Sequence, residues 1–364
     1  MKIGIVIHAN AALFSNGITQ NAYFIYQCLS HIGFECVLLC NEQTSRPFDH
    51  DAIPIQSVHT IQPETFNTII TVTRPISKEL YAVFKSLHVP VISFVCGNSY
   101  MNDQESFVYN GKTHFYGPIE TADEVWTIPS YMPYKQYMEI IYKKPVRCVS
   151  HLWHPCVLKK RAEHMSKVAE STLFYNPAFH TSSQIDIIIV EPNIAYFKNA
   201  WLPLVACEAL HMRRPDLINH VYVFNFPEHA AAYEMIDGLS VRSKIRPFKR
   251  KEMDEILVHF SAQPTIPVFL THHNNNSLNY VYYEAMYYGF PLLHNSADLG
   301  KDCGYYYADL AECVDQLIAA AGTHGERLDA YKDSTWHFLQ TVDPLDADVG
   351  EQWKAMVHRA ILRA

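Results

Sequence analysis

Short β-rich runs alternate with stretches of helical periodicity along the whole chain, and the alternation starts afresh halfway. In the first half, residues 3–7, 35–39, 68–72, 89–94, 124–128 and 147–149 have strand character. In the second half, "QIDIIIVEPN", "HVYVFN", "SKIRPF", "IPVFLTHH" and "FPLLHN" do so. Between the first two runs lies "NGITQNAYFIYQCLSHIGFE", in which Ala22, Ile25, Leu29 and Ile32 recur at helical spacing. This predicts a helix from Asn16 and Gly17 to a stop at Gly33. Strand and helix in strict alternation build parallel sheets covered by helices. The sequence therefore predicts an α/β protein of two doubly wound, Rossmann-like domains facing a cleft. The expected divisions are a first domain over 1–152, a linker over 153–180 marked by Pro155 and Pro177, and a second domain over 181–344. A C-terminal helix over 345–364 is expected to pack back on the first domain. Ligands of such sheets bind beyond the carboxyl ends of the strands.

Composition narrows what such a protein can do. Hydrophobic residues make up 49% of the chain and charged residues 18%, as in a folded globular protein. A formal net charge of -8 argues against a dedicated nucleic-acid binder. The opening "MKIGIVIHAN" is too short and too soon broken for a signal peptide or a membrane span, so a cytoplasmic location is expected. Nine cysteines, an odd number with no CxxC pair, fit reduced thiols. The pairs in "HLWHP" and "THHNNN" lack a third ligand at metal-binding spacing, so neither a metal nor any other cofactor is expected. No GxGxxG, Walker loop or Gly-x-Ser-x-Gly elbow is present, which removes the usual signals for a nicotinamide enzyme, an NTPase and a hydrolase. The basic stretches "IYKKPVRC" and "VLKKRAEH" flank the expected linker and leave peripheral contact with a membrane open.

The most unusual stretch is "NSLNYVYYEAMYYGFPLLHNS", residues 276–296, which sets one carboxylate, Glu284, among tyrosines. Leu278, Val281, Ala285 and Tyr288 share a helical face, and Gly289 followed by Pro291 stops the helix before a short apolar strand. Glu284 then sits mid-helix, where a buried carboxylate needs a partner. Ser277 can cap this helix and leave backbone N–H groups near Leu278 and Asn279 facing an anion.

On these motifs the sequence resembles the GT-B glycosyltransferases, particularly the retaining family-4-like group, and an uncharacterised bacterial family of the same build. That group carries a Gly-Arg-Leu-x-x-x-Lys-Gly turn after a strand, and here "EPNIAYFKNA" places Lys198 on the lysine and Asn193 on the arginine. It also carries Glu-x7-Glu followed by Ala-Met-x-x-Gly-x-Pro; "EAMYYGFP" matches the second part, with Glu284 on the second glutamate and Asn276 in place of the first. The resemblance implies that a nucleotide-sugar donor binds at Asn193, Lys198, Asn276, Ser277, Leu278, Asn279 and Glu284. Glu284 would grip the ribose hydroxyls and Lys198 the diphosphate. In the first domain "HANAALFSNGITQ" resembles the glycine-rich loop that approaches the reacting sugar, and "VISFVCGNSY" has Cys96 where the group often has a histidine. Asn16, Gly17 and Asn98 are thus the expected catalytic positions. The function implied is metal-independent, retaining transfer of a sugar to an acceptor hydroxyl. Two alternatives remain from the same residues: a nucleotide-sugar 2-epimerase, and a sugar-nucleotide or glycan-binding protein without catalysis.

Overall fold

In the computed structural model, the described residues are 1–7, 17–41, 47–48, 53–72, 75–109, 118–165 and 173–363. Asn16 lies outside them. The chain forms two compact units, Met1–Lys160 with Gln340–Ala364, and Arg161–Leu339.

The first unit is built on strands β1 (Lys2–Ile7), β2 (Glu35–Cys40), β3 (Pro47–Phe48), β4 (Ile53–Ser57), β5 (Thr68–Val72), β6 (Val91–Val95), β7 (Glu124–Thr127) and β8 (Val146–Cys148). Their order across the sheet is β3-β4-β2-β1-β5-β6-β7-β8; β3 is antiparallel to β4 and every other pairing is parallel. The chain moves outward from β1 to one side, then returns to β1's other side at β5, so the switch point lies between β1 and β5. The strands read from the sequence are all present, with ends moved by one or two residues. The two-residue strand β3 and strand β4 carry no clear sequence signal: Pro54 weakens β4 and is tolerated because it pairs only with Pro47 of β3, ahead of the residues that pair with β2. The helix predicted after β1 runs Gly17–His31, and Gly33 follows it at φ 92°, where a side chain would be strained.

The last helix of the chain, Ala347–Ile361, belongs to this first unit. Trp353 is fully buried with its ring edge-on to Trp126 at 5.8 Å, and its indole N–H donates to the Ser150 carbonyl at 3.2 Å. Arg359 donates to the Glu124 carboxylate at 2.8 Å. At Gly350 a Cβ would lie 2.6 Å from Ile32 Cγ2, so any side chain there would push this helix away from the turn that follows Gly17–His31.

The second unit carries β9 (Ile185–Ile189), β10 (Ile218–Val223), β11 (Ile245–Pro247), β12 (Ile266–Leu270), β13 (Leu292–His294) and β14 (Tyr305–Tyr306). They form one parallel sheet in the order β11-β10-β9-β12-β13-β14. The apolar run of β9 is buried on both faces, as a central parallel strand requires. Ile185, Ile187 and Ile189 lie in a core with Leu204, Leu210, Val268 and Leu317, each such side chain contributing roughly 1.5–3 kcal/mol by its removal from water. Direction reverses between β9 and β12, so the loops that follow these two strands open the crevice where such sheets hold ligands. All nine cysteines are free thiols. Among the described residues no helix is long and apolar enough to cross a membrane.

Candidate functional site at the carboxyl edge of the second sheet

Two residues beyond β9, Glu191 is fully buried, and its Oε1 accepts the backbone N–H of His272, in the loop after β12, at 3.1 Å. This bond, together with that from the Asn274 N–H to the Phe197 carbonyl at 2.9 Å, ties together the two loops of the switch point. Its other oxygen, Oε2, is buried without a hydrogen-bond partner. Lys198 reaches back from the same post-β9 segment, and its ammonium donates to the backbone carbonyl of Leu278. Burial pushes Glu191 above the usual carboxylate range and pulls Lys198 below the usual lysine range, while the attraction between the two partly restores both charges.

Asn193 takes up the turn. It adopts φ 53°, a left-handed conformation that asparagine tolerates better than most residues. Its Nδ2 lies 3.0, 3.3 and 3.2 Å from the carbonyls of Glu191, Phe224 and Asn225, and its Oδ1 accepts the Ala200 N–H at 2.7 Å. The asparagine at the resembled arginine's position thus holds the turn by hydrogen bonds at both ends of its amide.

After β12, the two adjacent histidines diverge. Tyr307 donates its hydroxyl to the Thr271 carbonyl at 2.6 Å, and its oxygen lies 3.1 Å from Nδ1 of His272, whose Nε2 lies 3.4 Å from Asn274 Oδ1. His273 Nδ1 accepts the backbone N–H of Asn276 at 3.2 Å, which places the ring proton on Nε2. That Nε2 is buried without a partner, and burial first, then Lys198 and two further histidines, holds the ring neutral by lowering its pKa to about 3. Among the described residues no cluster of three His, Cys, Asp or Glu is placed to hold a metal ion.

The helix that follows runs Tyr280–Tyr287, two residues later than a Ser277 cap would require. Ser277 instead donates its hydroxyl to the Asp298 carboxylate, and the cap is Asn279, whose Oδ1 accepts the Val281 N–H at 3.2 Å. The polar run before the helix offered several caps, and a partner beyond β13 removed Ser277 from the choice. The cap shifts the helix start past Leu278, which takes part through its carbonyl rather than its N–H. Gly289, at φ 76°, ends the helix as read.

Glu284 stands in the middle of this helix, 9% exposed, and no described residue donates a hydrogen bond to its carboxylate. Burial, with smaller repulsion from Glu252 and Asp254, raises its pKa to about 8. The described residues give this group no partner, although a buried carboxylate without one costs several kcal/mol, roughly, if ionised.

In the first unit, Gly17 opens its helix, and its carbonyl accepts from Asn21 Nδ2 at 2.8 Å; the same nitrogen lies 3.3 Å from Cys96 Sγ. Asn21 therefore connects the helix start with the loop after β6. Asn98 is 1% exposed, and its Oδ1 caps the helix Ser99–Val108 by accepting the Met101 N–H at 3.2 Å.

The structure thus gathers Asn193, Lys198, Asn276, Ser277, Leu278 and Asn279 around the loops that follow β9 and β12, and sets Glu284 in the helix leading away from them. Glu191 and His273, which the motif comparison did not single out as donor residues, share this edge. Two parallel-sheet Rossmann-like units in one chain define the GT-B fold, and solved structures bear this out. Sucrose-phosphate synthase from Thermosynechococcus elongatus superimposes with a TM-score of 0.58 at 10% identity over 100% of both chains. HepE from Anabaena, solved with UDP and glucose, gives 0.59 at 9% identity over 99% of this chain and 100% of that one. An alpha-glucosyltransferase solved with UDP gives 0.58 at 12% identity over 99% of each. No curated protein matches the sequence at a significant level. The chain belongs to the family DUF2827, described as a protein of unknown function, whose profile matches residues 2–357.

Proposed function

We propose that the protein is a glycosyltransferase that moves a sugar from a nucleotide-sugar donor to an acceptor hydroxyl. The observation that carries this reading is Glu284, a nine-tenths buried carboxylate without a hydrogen-bond partner among the described residues, on the helix that leaves the switch point. Adjacent ribose hydroxyls supply the two donors an ionised carboxylate accepts, so a bound nucleoside satisfies it. Lys198 turns from the Leu278 carbonyl to the donor diphosphate, and the buried N–H of His273 gives a second hydrogen bond on the same side. Both groups stabilise the charge that gathers on the departing diphosphate. Retention of configuration follows the resemblance: the departing phosphate accepts the acceptor's proton on the face where the new bond forms. The proteins of the same fold solved with UDP support this choice of ligand class.

A thermal-shift screen of nucleoside diphosphates and sugar nucleotides tests the reading, because a ligand that binds only the folded state raises its apparent stability. The expected result is stabilisation by one nucleoside diphosphate and its sugar conjugate, with sugar consumed when an acceptor is supplied. Binding without consumption across a broad acceptor panel, or no stabilisation by any nucleotide, would overturn it.

A further inference from the structure

The basic stretch "IYKKPVRC", to which the donor reading gives no role, runs into β8, the free edge of the first sheet. There Arg147 and, from the last helix of the chain, Arg359 face one carboxylate. That carboxylate is Glu124, which opens β7 and whose side chain is 10% exposed. Its Oε1 accepts both of its side-chain hydrogen bonds, from the Trp126 indole N–H at 2.7 Å and from Arg359 Nη2 at 2.8 Å. Arg147 Nε comes only to 3.8 Å from the other oxygen, Oε2, too far for a hydrogen bond. The Arg147 and Arg359 side chains are 32% and 27% exposed, and the Nε–H of each is buried without a hydrogen-bond partner among the described residues.

Charge around these arginines does not balance. Glu124 offsets one of the two. The other acids between residues 118 and 150 each have a lysine of their own: Asp123 pairs with Lys85 at 2.6 Å, Glu139 with Lys135 at 3.8 Å, and Glu120 with Lys78. Lys143 and Lys144 lie within about 14 Å of Arg147 along an extended chain, and Arg363 follows Arg359 by four residues. Among the described residues no hydrogen bond or ion pair engages any of these three side chains. Burial lowers the Arg359 pKa; Glu124 opposes the shift, and repulsion from Arg147 and Arg363 adds to it. The whole chain carries a formal net charge of -8, so the surplus of cations belongs to this place and not to a generally basic surface. A second carboxylate would repeat what Glu124 supplies, whereas a phosphate brings nearly two negative charges and three acceptor oxygens. Those oxygens match the free donors of two guanidiniums, which bind phosphate through paired N–H bonds.

We infer that Arg147 and Arg359 hold a phosphate group where β8 meets the last helix, with Lys143, Lys144 and Arg363 attracting it from the rim. The phosphate is that of a soluble phosphate compound or of a lipid headgroup. None of these residues belongs to the donor site, so this assignment and the donor reading can each fail alone.

The test uses the full-length protein and its Lys198→Ala variant, in which phosphate at the donor site is weakened. Each is titrated by calorimetry with inorganic phosphate, pyrophosphate and acetate, and sedimented with phosphatidylcholine vesicles with and without phosphatidic acid. A salt concentration of about 0.15 M, at which the Debye length is about 8 Å, screens diffuse attraction. Binding to a phosphate probe, undiminished in Lys198→Ala, is expected; a soluble probe or the phosphatidic-acid vesicles alone then identifies the source. Arg147→Ala should weaken it about tenfold and Arg363→Ala several-fold. Arg363 is exposed and has no fold contact to lose, so its variant guards against misfolding of the other. Absence of binding to every phosphate probe, equal affinity for phosphate and acetate, or binding unchanged in the folded arginine variants overturns the inference. Binding that disappears in Lys198→Ala would place the phosphate on the donor lysine and overturn it as well.

Discussion

Two helices, one in each unit, pose the same problem and solve it differently. Ser99–Val108 is capped by Asn98 and Tyr280–Tyr287 by Asn279, and each carries a buried carboxylate at the same spacing from its cap, Asp103 and Glu284. Both are 9% exposed, and burial raises the pKa of both. Asp103 has a partner in its own unit: Tyr137, on a neighbouring helix, donates to its Oδ2 at 2.6 Å. Glu284 has only Glu252 and Asp254, which repel it. A carboxylate tied to a tyrosine helps to fix the position of a helix, whereas one buried beside other acids lowers the stability of the fold. The second arrangement makes sense where a ligand completes it.

The largest expected effect separates the two directly. Glu284→Gln should weaken UDP, or whichever nucleoside diphosphate the thermal screen selects, by at least tenfold, since a hydrogen bond to a charged group is worth roughly 1.5–3 kcal/mol. Asp103→Asn should leave that affinity within twofold. Calorimetry on both variants decides: if the losses are equal, Glu284 is another structural carboxylate. Next comes Lys198→Ala, which should weaken the nucleoside diphosphate about tenfold and the bare nucleoside hardly at all. Equal losses for the two ligands would remove the lysine from the phosphate.

The same contrast appears in stability. With its pKa raised from 4.5 to about 8, Glu284 binds more protons in the folded than in the unfolded state between those values. Stability therefore falls as pH rises through that window. Glutamine cannot ionise, so Glu284→Gln should match the parent at pH 4 and exceed it by roughly 4–5 kcal/mol at pH 9, measured by urea unfolding. A variant that binds nucleotide worse yet folds better at alkaline pH is what a ligand-reserved group predicts. A variant less stable at every pH would show that Glu284 has a partner in the fold.

How far all this could be read from the sequence differs between fold and site. The strands around the switch points were legible, because central parallel strands such as β9 and β12 are apolar on both faces and stop abruptly. Very short or proline-bearing outer strands were not: β3 is only Pro47–Phe48, β4 carries Pro54, and β14 is only Tyr305–Tyr306. Glu284 and Lys198 are candidates that the motif singles out. Glu191 was missed, although an acid immediately beyond an isoleucine-rich strand is a usable signal, since the carboxyl end of a central strand opens on the crevice. The helix cap was misread for a reason local sequence does not contain. Ser277 and Asn279 are both good caps, and Asp298, which occupies Ser277, is distant in the chain. Asn193 shows the same limit. Its position suggested a ligand contact, and four backbone groups from three segments hold it in the turn instead.

The smallest expected effect tests the partnered side of the comparison. Tyr137→Phe removes one hydroxyl and leaves the ring, which lies edge-on to Tyr100 at 5.0 Å. Asp103 already has one buried oxygen, Oδ1, without a partner, and the substitution would leave the second in the same state. Burial raises the Asp103 pKa and the Tyr137 hydroxyl lowers it, so losing the hydroxyl should raise it further. The cost falls on the ionised form. It should be about 1 kcal/mol at pH 7 and shrink as pH falls and Asp103 becomes protonated in folded and unfolded chains alike. Nucleotide affinity should not change. Urea unfolding at pH 7 and at pH 3.5 would show the predicted narrowing, and a loss of equal size at both values would mean that the Tyr137 hydroxyl contributes regardless of the charge on Asp103 and that the ionised carboxylate is held by the fold no more firmly than Glu284.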